Sequence, residues 1–184
     1  LAFSPPDYLG VSESTRRFFP KWSPLAAEDL WLPGDCKRLI DAIEAAVPKA
    51  VVFSGFDRGY GRVISALHTR LPHIPIYVLW HATSMQLVEA ENNQHLNTIL
   101  DLGRNKAIKR VGCFKTGLGE RLRDLGVEAF DVFNLPPRRN DDIDQEDLSA
   151  IGCRRSASDK SPMRIGLFLA GPSWRKNPYA MLDA

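Results

Sequence analysis

The apolar positions of this chain fall into short continuous runs separated by longer stretches of mixed character. "LAFS" (1–4) comes first, and the "PPDYLG" after it reads as a turn. "AVVFSG" (50–55), "IPIYVLW" (74–80), "KRVGCF" (109–114) and "VEAFDVFN" (127–134) follow. Runs rich in β-branched and aromatic residues, four to eight long, predict strands buried on both faces. The intervening stretches carry helical spacing. "SESTRRFF" opens a helix with Ser12 as its N-cap. "DCKRLIDAIEAAV" (35–47) sets Leu39, Ile40, Ile43, Ala46 and Val47 on one face, with Asp35 at the N-cap. "RGYGRVISALHTRL" (58–71) is helical, although Gly59 and Gly61 weaken its start. "SMQLVEAENNQHLNTILDLG" (84–103) is a long helix capped by Ser84 and closed by Gly103, and "TGLGERLRDLG" (116–126) a short one stopped by Gly126. "FPKWSPLAAEDLWLPG" (19–34) is aromatic and Pro-rich and fits neither period.

Strands alternating with helices imply βαβ units, right-handed crossovers and a parallel sheet. The expected fold is therefore a doubly wound, Rossmann-like α/β domain over residues 1–137. From Leu135 the composition changes to a mixture of Pro, acids, Arg and Ser, which reads as an interdomain linker over 138–162. "MRIGLFLAG" (163–171) is a fresh apolar run. It predicts the first strand and helix of a second α/β domain, truncated over 163–184.

Bulk composition narrows the class. A hydrophobic content of 44 % fills a real core, and 25 % charged residues is ordinary for a globular chain. The net charge of +2 gives no basic field of the kind nucleic acid demands. Cys36, Cys113 and Cys153 stand far apart, with no CxxC pair and no metal-ligand spacing, which fits a reducing compartment. No apolar run approaches the roughly 20 residues of a membrane span, and no basic n-region precedes an apolar stretch at the N-terminus. The expectation is a cytoplasmic protein.

Ligands of parallel α/β sheets bind beyond the carboxyl ends of the strands, so the residues following each strand are the candidates. His81, in "WHATS", ends a central strand. There an imidazole donates to a substrate oxygen or shuttles a proton; the alternative is a histidine that caps the next helix or is satisfied within the core. His68, His73 and His95 read as surface or packing residues. Gly10, in "DYLGV", follows the first strand, where the lack of a Cβ lets backbone approach a ligand, although a lone glycine there reads first as a plain turn. "GFDRGYG" fits neither dinucleotide nor P-loop patterns, and Asp57 reads as a turn or cap residue. Arg175 and Lys176, in "GPSWRKN", follow the last strand at a helix start, a natural place for a phosphate or diphosphate; otherwise they are a solvated loop pair. Arg104, Lys106, Lys109, Arg110 and Lys115 form a basic cluster that either faces an anionic membrane leaflet or is a solvated helix end.

In this order the stretches "SPPDYLGVSES", "YVLWHATSMQ", "VGCFKTGLGERLRDLGVEAFDVFNLPP" and "IGLFLAGPSWRKNPYAMLDA" resemble the retaining nucleotide-sugar glycosyltransferases of the GT-B fold. The likeness implies a first domain that holds the acceptor and a second that holds the nucleotide-sugar. It implies that Gly10 approaches the donor phosphate, that His81 contacts the transferred sugar, and that Arg175 and Lys176 neutralise the diphosphate leaving group. Asn134 would end the last strand of the first domain. Neither a metal nor a separate cofactor would be needed. The implied activity is hexosyl transfer to a carbohydrate or lipid-linked acceptor in cell-envelope polysaccharide synthesis, with this stretch alone inactive. A different reading is a non-catalytic flavodoxin- or receiver-like binding module. A receiver needs clustered acids at strand ends, and none follow Ser54 or Trp80.

Overall fold

The computed structural model describes residues 1–6, 9–26, 28–30, 33–57, 59–82 and 90–132, all within one compact unit, Leu1–Pro137. Strand β1 (Ala2–Ser4) leads to helix α1 (Leu9–Phe18) and strand β2 (Trp22–Pro24). A 3-10 turn at Glu28–Leu30 and helix α2 (Pro33–Ala46) precede β3 (Val51–Ser54). Then come α3 (Tyr60–Arg70), β4 (Ile76–Trp80), α4 (Ala90–Arg104), β5 (Arg110–Cys113), α5 (Leu118–Asp124) and β6 (Ala129–Asp131).

The six strands form one sheet in the order β2-β1-β3-β4-β5-β6, and every pairing is parallel. The α/β architecture expected from the sequence is therefore present, as a Rossmann-like doubly wound sheet. From β1 the chain turns to β2 on one side and then crosses to β3 on the other. Right-handed crossovers put α1 on one face of the sheet and α2 to α5 on the opposite face. Helix contacts agree: α1 packs on β1, β2 and β3, whereas α2, α3 and α4 pack side by side.

Alternation along the strands follows this division. Val51, Phe53, Ile76, Val78, Trp80, Val111 and Cys113 point toward the four-helix face and are buried. Tyr77 and Leu79, on the other face, are half-buried. Phe3 stacks on Phe53, and Tyr60 packs tilted against Phe53, with ring centroids 5.6 and 5.3 Å apart. The buried Tyr60 hydroxyl donates to the Leu25 carbonyl at 2.8 Å, so its polar end is satisfied. Fully burying side chains of this size contributes on the order of 1.5–3 kcal/mol each.

Several sequence expectations shift in position. Helix α1 begins before Ser12, because the Ser12 hydroxyl donates to the Pro5 carbonyl at 3.0 Å rather than capping the helix. Helix α2 opens with Pro33, a residue suited to the first helical position, so Asp35 sits in the first turn, where its charge complements the dipole. Val47 has left the helix, with φ 43°. Gly103 lies within α4 rather than closing it: a Cβ there would meet Val127 Cγ1 at 2.6 Å. Strand β2 arises from the Pro-rich segment that matched neither period. Ser84, Asn134, the linker 138–162 and the second-domain start 163–184 lie outside the described residues.

Candidate functional site

The strand order reverses between β1 and β3, and α/β folds of this kind seat ligands at the carboxyl edge beside such a switch point. Ser4 ends β1 and Ser54 ends β3, and both are almost fully buried. Ser4 Oγ accepts from the Trp22 indole N–H at 2.8 Å and shares a hydrogen bond with Ser12 Oγ at 3.1 Å. This network ties β1, β2 and α1 together at the switch point. Gly55 follows β3 with φ 87°, a left-handed backbone. A Cβ there would meet Pro5 Cδ at 3.0 Å and Val11 Cγ1 at 3.7 Å. The loop after β3 thus lies directly against the loop after β1 and the start of α1.

His81 stands one residue beyond β4, next along the same edge. Its Nε2 lies 3.4 Å from Ser54 Oγ, and its ring stacks on Phe114 at a centroid distance of 4.1 Å and an interplanar angle of 24°. Burial pushes its pKa from 6.5 down to about 4, so the imidazole is neutral at pH 7. A neutral imidazole donates through one ring nitrogen and accepts through the other. The residue is oriented by a hydroxyl on one side and an aromatic face on another, and it is half-buried rather than lost in the core.

Further along the edge, Asp131 accepts hydrogen bonds from the Gly117 and Gly119 amides, each at 3.0 Å. Its carboxyl pKa is lowered by those two bonds. The amides at the start of α5, which would otherwise suit an anionic ligand, are already taken by a carboxylate of the chain itself.

Gly10 belongs to the first turn of α1 rather than to a loop before it. It and His81 both sit at the carboxyl edge. Arg175 and Lys176 lie outside the described residues. Asp57 occupies a turn, its carbonyl accepting from the Tyr60 N–H at 3.2 Å. The basic cluster divides: Arg104, Lys106, Lys109 and Arg110 gather at the amino edge of the sheet, whereas Lys115 follows β5 at the carboxyl edge. His95 is a packing residue, buried with its ring edge-on to Phe56.

Ser4, Ser54, Phe114 and Asp131 were not singled out in the sequence. The two serines carry one legible mark: each ends a buried apolar run immediately before a Pro or Gly. Asp131 carries none, since its partners are 12 and 14 residues away. Among the described residues no group of His, Cys, Asp and Glu has the arrangement of a metal site, and no helix is long and apolar enough to cross a membrane. In comparison with known proteins, the chain matches no family model, no curated protein and no solved structure.

Proposed function

We propose that the chain is the acceptor-side domain, with the start of the donor domain, of a nucleotide-sugar glycosyltransferase of the GT-B kind. The observation that favours this reading most is the placement of His81. A neutral, oriented imidazole just beyond β4 lies against Ser54 at the end of β3, beside the β1/β3 switch point. In this reading the α1 amides, with Gly10 among them, face the donor phosphate, and His81 hydrogen-bonds a hydroxyl of the transferred sugar. Departure of the nucleoside diphosphate develops negative charge, which Arg175 and Lys176 offset. The acceptor is a carbohydrate or a lipid-linked carbohydrate.

The test is a titration of the whole two-domain enzyme that this reading implies with a panel of nucleoside diphosphate sugars, followed by NMR at the His81 ring and the α1 amides. At least one donor should shift both sets of signals, and His81→Ala should weaken that donor about tenfold, as expected for one lost hydrogen bond. Unmoved signals at millimolar donor across the whole panel would remove the reading.

One observation favours a second reading. The strand order is the flavodoxin-like one extended by a strand, with a single strand, β2, on the far side of β1. A non-catalytic flavodoxin-like binding module would place a flavin mononucleotide at the same switch point. Shifts on adding that nucleotide, with none from any sugar donor, would decide for the module.

A further inference from the structure

A concavity of about 740 Å³ lies at the edge of the sheet opposite His81, walled by the amino ends of β4 and β5 and by the turns after α3, α4 and α5. Arg104, Lys106, Lys109 and Arg110 line it, with His68 and His73 beside them. Glu128 is the one carboxylate among the described lining residues. None of the four cations forms an ion pair with a described carboxylate.

Ordinary helix chemistry explains only part of this gathering. Arg104 and His68 occupy the last turns of their helices, where positive charge complements the dipole. Lys109 and Arg110 are at the start of a strand, where no such need exists. Lys106 holds a left-handed backbone, φ 64°, just past α4, at a position that favours glycine or asparagine. Arg104 is held in place by its Nε–H, which donates to the Leu125 carbonyl at 3.1 Å. Four cations less one carboxylate leave +3 around one cavity. Like charges gathered around one cavity repel one another, and an anion seated among them relieves that repulsion.

We propose that this amino-edge cleft binds a ligand carrying two clustered phosphate groups, either free or as the headgroup of an anionic lipid. A single phosphomonoester carries about −1.5 to −2 at neutral pH, too little to balance the cleft, whereas a diphosphate or bisphosphate matches it. Guanidinium groups bind phosphate oxygens in pairs, and lysines add point charge. The site is separate from the carboxyl-edge switch point and stands whether or not the chain handles nucleotide sugars.

Calorimetry of the 184-residue chain with inorganic pyrophosphate tests it, beside sedimentation with phosphatidylcholine vesicles with and without cardiolipin, whose headgroup carries two phosphates. Lys109 and Arg110 are exposed, so Lys109→Gln/Arg110→Gln should keep the fold, as circular dichroism would verify. Pyrophosphate should bind saturably and weaken roughly tenfold or more in that variant. Arg175→Gln/Lys176→Gln should leave the binding in place. Binding to cardiolipin vesicles without pyrophosphate binding, lost in the Lys109/Arg110 variant, would assign the phosphates to lipid. Binding to neither probe, or binding unchanged in the Lys109/Arg110 variant, would overturn the proposal.

Discussion

His81 carries a proton equilibrium that the fold itself has displaced. Unfolded, the imidazole takes a proton near pH 6.5; folded, it resists until about pH 4, because burial disfavours the charged ring. The unfolded chain therefore binds more protons in this interval, and acid draws the equilibrium toward it. Stability linked to His81 is complete above pH 6.5, falls as the pH drops toward 4 and changes no further below that. The full span is about 3 kcal/mol. Urea midpoints at pH 7.5 and 4.5 measure it. His81→Gln should remove most of the difference between the two pH values, and an unaltered difference would show that the ring is not shielded as described. Asp131 shifts in the same direction, but over a lower pH range. Its lowered pKa adds stability above the ordinary carboxylate range, which is lost only as the pH falls through the folded value. The two residues thus act in different pH windows and can be separated by titration.

At the scale of the elements, close backbone approach does more than capping to fix geometry. Gly103 lets α4 lie against the lead into β6, with Val127 occupying the space a side chain would need. A methyl group there must displace a stiff β-branched residue, so Gly103→Ala should cost about 1–3 kcal/mol. Val127→Ala should be far less damaging in the Gly103→Ala background than alone, which thermal unfolding of the four proteins would reveal; additive losses would contradict the contact. The same residue shows why some boundaries were hidden in the sequence. A glycine at the end of an apolar helical pattern reads as a stop, yet here it serves packing against a residue 24 positions later. Helix α1 was hidden differently. Ser12 has the chemistry of a cap, but its hydroxyl is spent on Pro5 and Ser4. The central strands were legible because burial demands continuous apolar runs at 51–54 and 76–80. Strand β2 was not, because an edge strand of Trp22, Ser23 and Pro24 is half-buried at best and shows no period.

For the molecule as a whole, the strand order was the part the sequence withheld. Alternating elements imply a parallel sheet, but only the unseen β2 decides that the order reverses between β1 and β3, and hence where the switch point falls. His81 was legible as a strand-end residue; its hydroxyl and aromatic partners come from β3 and from the loop after β5, which no local pattern connects. Stability should be graded across the sheet. The amides of β3, β4 and β5, paired on both sides and packed against the helical face, should exchange with solvent most slowly, and those of β2 fastest. Hydrogen exchange followed by mass spectrometry measures this gradient, and uniform protection from β2 to β5 would contradict it.

Both strands that bound the described sheet, β2 and β6, are only three residues long, and one of them ends on Pro24, which has no amide hydrogen to give. A neighbouring chain that tried to extend the sheet would find too few main-chain groups to zip onto. Among the described residues the sheet thus carries a built-in safeguard against edge-to-edge stacking into fibres, which does not depend on what the chain binds.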